Sequence, residues 1–120
     1  MDPKKIGFLA ENIAARYLES KGYEIVAKNY RKPWGEIDIV SKIGDTIVFV
    51  EVKANRQDFG GDFNPEIRAD YQKIHKIKRT AALFLEHELG NAELEWQIDV
   101  IAVIFDIFNK KAKIKHFKNI

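Results

Sequence analysis

A chain of 120 residues with 46% hydrophobic and 32% charged residues has the size and balance of one folded domain; it is too short for two ordinary domains and too apolar to be disordered. The absence of cysteine excludes a disulfide framework, a thiolate zinc site and a thiol nucleophile. A formal net charge of +2 does not by itself mark a nucleic-acid binder, no apolar run is long enough to cross a bilayer, and the N-terminus lacks the form of a secretion signal, so a cytoplasmic location is expected.

From Lys4 to Ser20, apolar residues at Ile6, Leu9, Ile13 and Tyr17, with Ala10, Ala14 and Leu18 beside them, predict a first helix closed near Gly22. The alternation in "YEIVAKNY" predicts a strand, and "RKPWG" a turn. Strands two and three come from "GEIDIVSKIGDTIVFVEVK", Gly35 to Lys53, folded at Gly44-Asp45. The segment "NRQDFGGDFNPE" has no period and predicts a mobile loop. Ile74, Ile77, Ala81, Phe84 and Leu85 mark a second helix from Asp70 to Leu89, stopped by Gly90. "EWQIDVIAVIF" reads as a buried strand and "KAKIKHF" as a strand at a sheet edge, where its lysines discourage unwanted pairing. The expected fold is α/β, in the order α-β-β-β-α-β-β, with helices flanking a central mixed sheet.

Register sharpens the hairpin. With Gly44-Asp45 as its turn, Ile43 faces Thr46, Asp38 faces Glu51 and Glu36 faces Lys53, so all four charges emerge on one face. The other face carries Ile37, Ile39, Val48, Val50 and Val52. Carboxylates directly opposite each other repel, and a hard divalent cation between them offsets the cost. Lys53, on the same face as Glu51, can orient an attacking water or neutralise charge building on phosphorus. Val52 anchors the strand in the core. Acid, acid, apolar spacer and lysine form a unit suited to metal-assisted phosphodiester hydrolysis, with Asp38, Glu51 and Val52 as the metal set and magnesium or manganese as the ion. The same residues also admit a plainer reading, in which Glu36 and Lys53 make a surface ion pair and Asp38 and Glu51 are solvated charges.

The motif "GEIDIV", followed by "VFVEVKANR", resembles the PD-(D/E)XK nuclease signature, with Asp38 as first acid and Glu51-Val52-Lys53 as the E-X-K element. More closely, the chain resembles the small bacterial YraN-like family, related to Holliday-junction resolvases and restriction endonucleases. "GFLAENIAARYLESKGYEIVAKNYR" matches that family's opening helix and strand, with a glutamate at Glu11, and "QIDVIAV" its late strand, with an aspartate at Asp99. The resemblance implies a restriction-endonuclease-like fold, a single nuclease-like domain over residues 1–120, a metal-dependent endonuclease acting on DNA, and work in pairs as a homodimer. It adds Glu11 and Glu36 to Asp38, Glu51 and Lys53 as catalytic candidates, and aligns Lys73 with a helical lysine of the family. Two departures bear on substrate choice: "DFGGDFNPEIRADYQ" is longer and less regular than the family's usual link, and Ile37 rather than proline precedes the first acid, which is the habit of this family but not of the wider superfamily.

Arg56, Lys73 and Lys76 are the candidate nucleic-acid contacts, and Lys110, Lys111, Lys113, Lys115 and Lys118 add an acid-free basic end. Nothing suggests base-specific reading, which favours branched or otherwise structured DNA over a defined sequence. The alternative function is a non-catalytic nucleic-acid-binding or protein-interaction module that keeps the nuclease fold. Asp99, within an apolar strand, is expected to be hydrogen-bonded and structural. His75, His87 and His116 lack metal-ligand spacing.

Overall fold

A computed structural model describes residues 2–57, 71–106 and 108–120. The elements are α1 (Pro3–Ser20), β1 (Glu24–Lys32), β2 (Gly35–Ile43), β3 (Thr46–Gln57), α2 (Tyr71–His87), β4 (Glu95–Asp106) and β5 (Lys111–Phe117). The sheet order is β1-β2-β3-β4-β5, antiparallel except for the β3–β4 pair, which is parallel and joined through α2. The architecture is therefore the mixed α/β order expected, and β5 is an edge strand. Among the described residues no helix is long and apolar enough to cross a membrane.

Each sheet face has its own core. Ala10, Ala14, Ala15 and Leu18 of α1 pack on Ile39, Val48, Val50, Ile101 and Val103. Ile77, Ala81, Phe84 and Leu85 of α2 pack on Tyr30, Ile37, Val40, Ile47, Phe49 and Ile98. The burial stripe of α1 differs from expectation: it runs along the alanines and Leu18, while Leu9 is exposed and Ile13 and Tyr17 lie at its flanks. Small side chains let a helix axis approach a sheet closely, and the bulkier ones are pushed to the sides. Asp2 caps the helix, its Oδ1 accepting from the Lys4 N–H at 2.9 Å, with Pro3 in the first turn.

Three further expectations are corrected. Alternation in β1 is broken by a register shift between Ile25 and Ala27, leaving Val26 exposed. Ile37 belongs to the α2 core whereas Ile39 belongs to the α1 core. Between the Tyr30–Ile37 and Lys28–Ile39 pairs, Asn29 takes φ 54°, and this local twist breaks the strict two-face pattern expected of β2. Lastly, Asn55, Arg56 and Gln57 are not loop but the end of β3, paired with Ile104, Phe105 and Asp106. The rest of that expected loop, and the expected helix start at Asp70, lie outside the described residues.

Two contacts fix the helices. At the start of β2, a Cβ on Gly35 would lie 2.1 Å from Thr80 Oγ1, so only glycine lets α2 seat against the hairpin. On the other face, buried Asp99 accepts from His116 Nε2 at 2.6 Å, from Gln97 Nε2 at 2.8 Å and from the Asn119 N–H at 2.9 Å. The other imidazole nitrogen of His116 meets the Tyr17 hydroxyl at 3.0 Å, tying α1 to β4, β5 and the C-terminus. Asp99 is hydrogen-bonded as expected, but no local pattern marks His116, on a different strand, as its partner.

Gly35→Ala is expected to destabilise the protein by about 1–3 kcal/mol in urea titration through overpacking. Thr80→Ala in the same chain should recover part of that loss, because it removes the clashing oxygen. His116→Ala is expected to cost roughly 3 kcal/mol, since it strips a buried carboxylate of a principal partner. His116→Ala combined with Asp99→Asn should lose less than the sum of the two single changes.

Candidate active site

The β2–β3 hairpin has the register expected from its turn, from Ile43–Thr46 through Ile39–Val50, with Gly44 at φ 57°. There the ladder stops. Asp38 and Glu51 do not form a cross-strand pair, nor do Glu36 and Lys53. Instead Asp38 turns into the opening between the strands, where its Oδ2 accepts the Val52 N–H at 2.8 Å. The carboxylate takes the place of a strand carbonyl, and the strands part around it. Because the N–H and C=O of one strand residue point the same way, the Val52 carbonyl also faces this opening.

Burial is the largest influence on Asp38 and pushes its carboxyl up; the Val52 N–H pulls the other way, and the charges of Glu11 and Glu51 push it up further, to about 6. Glu11 is brought there by the close approach of α1, since it lies next to the buried alanine strip. Glu51 is turned toward α2, where its Oε1 pairs with the Lys73 ammonium. Glu36 pairs with its neighbour across β1, Arg31, at 3.2 Å, and both are largely exposed. Its expected pairing with Lys53 is thus replaced by one on the other side of β2.

A cavity of about 380 Å³ opens over these groups. Its lining brings together Glu36, Asp38, Glu51, Lys73 and Lys76 of the predicted residues, and adds Lys32 and Pro33 from the tip of the β1–β2 hairpin. Lys32 escaped the sequence reading because its approach depends on how that hairpin curls over the sheet. Lys53 is half-buried, makes no ion pair among the described residues and is not part of the lining. Arg56 is placed by its backbone in β3, and its side chain lies outside the described residues.

The donor chemistry suits a hard divalent ion. Among the described residues no three histidine, cysteine, aspartate or glutamate side chains converge on one point. The opening instead offers two carboxylates and a backbone carbonyl, leaving the remaining positions to water and phosphate oxygens, as magnesium prefers. A carboxylate that is unfavourable as an anion in isolation gains most from a nearby cation.

Comparison with known proteins agrees with the sequence over nearly its whole length. Residues 10–103 match the uncharacterised protein family UPF0102. The chain belongs to that family. A UPF0102 protein of Fervidobacterium nodosum is 41% identical over 118 residues, covering 98% of this chain and 82% of its own. Another from Alkaliphilus oremlandii is 40% identical over 117 residues, 97% of each chain. A UPF0102 protein of Caldicellulosiruptor bescii is 36% identical over 120 residues, covering 99% and 98%. Membership in UPF0102 bears out the family-level resemblance; the family's description assigns no activity.

The pH dependence of stability follows from Asp38. Its folded carboxyl binds a proton more tightly than the unfolded one, so the folded state holds the extra proton between about pH 4 and 6, and stability falls as pH rises through that window. At pH 7 the ionised side chain costs roughly 3 kcal/mol. Asp38→Asn keeps an acceptor for the Val52 N–H. With metal chelated, this variant is expected to be more stable than the parent at pH 7, with the difference vanishing below pH 4 in denaturant titrations.

Proposed function

We propose that this UPF0102 protein is a divalent-metal-dependent nuclease that hydrolyses phosphodiester bonds of DNA. The observation that carries this reading is the placement of Asp38, held on the Val52 N–H in a gap of the ladder, beside Glu51 and under a cavity edged by Lys32, Lys73 and Lys76. Acids at the floor and lysines at the rim fit a ligand that is anionic along its backbone and meets a cation at one point.

Asp38, Glu51 and the Val52 carbonyl would hold the ion. When bound, magnesium or manganese supplies positive charge for the phosphate oxygens and makes water more acidic. Lys53, two residues after Glu51 on β3 and without an ion pair among the described residues, orients the attacking water or meets the charge growing on phosphorus. Glu11 stands behind Asp38 as a positioning group, and Glu36 edges the cavity while paired with Arg31. Lys73 and Lys76, on α2, neutralise flanking phosphates, with Lys32 facing them from the hairpin.

The element order is compatible with a restriction-endonuclease-like core, and the PD-(D/E)XK resemblance supports DNA, branched or otherwise structured, as the substrate class. Two copies acting on the two strands of a branch belong to the same proposal.

The test uses branched, single-stranded and duplex DNA, with and without manganese. Cleavage that needs the ion and falls at least about 100-fold in Asp38→Asn, Glu51→Gln and Lys53→Ala is expected. Shifted bands without cleavage would instead identify a binding module on the same fold. The absence of cleavage on all three substrates, with or without binding, would refute the proposal.

A further inference from the structure

The ion pair between Lys73 and Glu51 puts a positive charge at the candidate metal site. Its partners differ in freedom: the Glu51 side chain is 13% exposed and fixed on β3, whereas that of Lys73 is 53% exposed on a flexible stem. One turn further along α2, Ile77 is buried, and Thr80 seats against Gly35, so the helix is held against the sheet while the Lys73 side chain stays the more exposed partner of the pair. Lys76 edges the same cavity and, among the described residues, makes no ion pair with Glu51.

We infer that Lys73 is the resident counter-ion of Glu51, that a divalent ion displaces it, and that the released ammonium then serves a nucleic-acid phosphate, so that metal and nucleic acid bind cooperatively. This rests on the metal-site reading above and adds its regulation. Charge balance drives the exchange. Asp38 and Glu51 together carry two negative charges, of which one ammonium cancels only half. A doubly charged ion cancels both and detaches the Lys73 ammonium from Glu51 at the rim of a cavity open to phosphate. Removing the lysine therefore has opposite effects on the two ligands: the metal no longer competes with it, and the nucleic acid loses a contact. By linkage, any help that the metal gives to nucleic-acid binding is returned in equal measure.

Manganese alone is titrated calorimetrically into the full chain and into Lys73→Met, Lys73→Arg, Lys76→Met and Asp38→Asn. Labelled branched DNA is followed by anisotropy with and without calcium, whose hard-ion preference for oxygen ligands is similar. Lys73→Met is expected to bind manganese roughly two- to five-fold more tightly, the range set by an exposed ion pair. It should also lose most of the calcium-dependent gain in DNA affinity, with a salt slope shallower by about 0.9. Lys73→Arg should behave like the parent, and Lys76→Met should weaken DNA binding without comparable tightening of manganese. Unchanged or weaker manganese binding by Lys73→Met, in a protein whose manganese site requires Asp38, overturns the exchange and leaves the metal reading standing. A parent chain with no manganese site sensitive to Asp38→Asn overturns both.

Discussion

A single hydrogen bond organises the candidate site: the Asp38 carboxylate accepting the Val52 N–H. A hairpin that continued its ladder would satisfy that N–H with a carbonyl and close the space between β2 and β3. By substituting a side chain for the carbonyl, the protein opens the strands without orphaning the donor. The opening then exposes a main-chain carbonyl beside two acids. Burial of Asp38 follows from the same geometry and makes its anion unfavourable until positive charge arrives.

The two helices supply what the hairpin alone lacks. Alanines on α1 allow the close approach that brings Glu11 to Asp38, and the absence of a side chain at Gly35 allows α2 to seat and present Lys73 and Lys76 over the acids. The site thus has a floor of carboxylates and a rim of ammonium groups, each delivered by a different element. Packing at positions remote from the chemistry sets the distances across it. The Asp99–His116–Tyr17 chain serves the α1 side in the same way, satisfying a buried carboxylate while tying the helix to the last two strands.

Much of the hairpin was legible because its information is local. A glycine-aspartate turn fixes pairing by counting, and the register from Ile43–Thr46 to Ile39–Val50 follows. Counting cannot say where pairing ends, since a strand that stops hydrogen bonding need not change its residue types. The expected Asp38–Glu51 pairing failed for that reason, although both acids do lie at one opening. Glu36 went to Arg31 rather than Lys53 because β1 is an antiparallel neighbour across which a complementary charge stands. Lys32 is far in sequence from Lys73 and Lys76, and only hairpin curl and helix docking bring the three to one cavity.

By itself the sequence determined the element order, the turn at Gly44-Asp45, the α2 stripe of Ile77, Ala81, Phe84 and Leu85, and the family to which the chain belongs. These depend on periodicity and on matches between short ordered motifs, which act over one or two turns of chain. Tertiary structure alone decided where the ladder opens, which cation meets Glu51, which strip of α1 is buried and what satisfies Asp99. Those outcomes turn on competition among several partners for one charged or polar group, and the winner is set by distances between elements that no local pattern encodes.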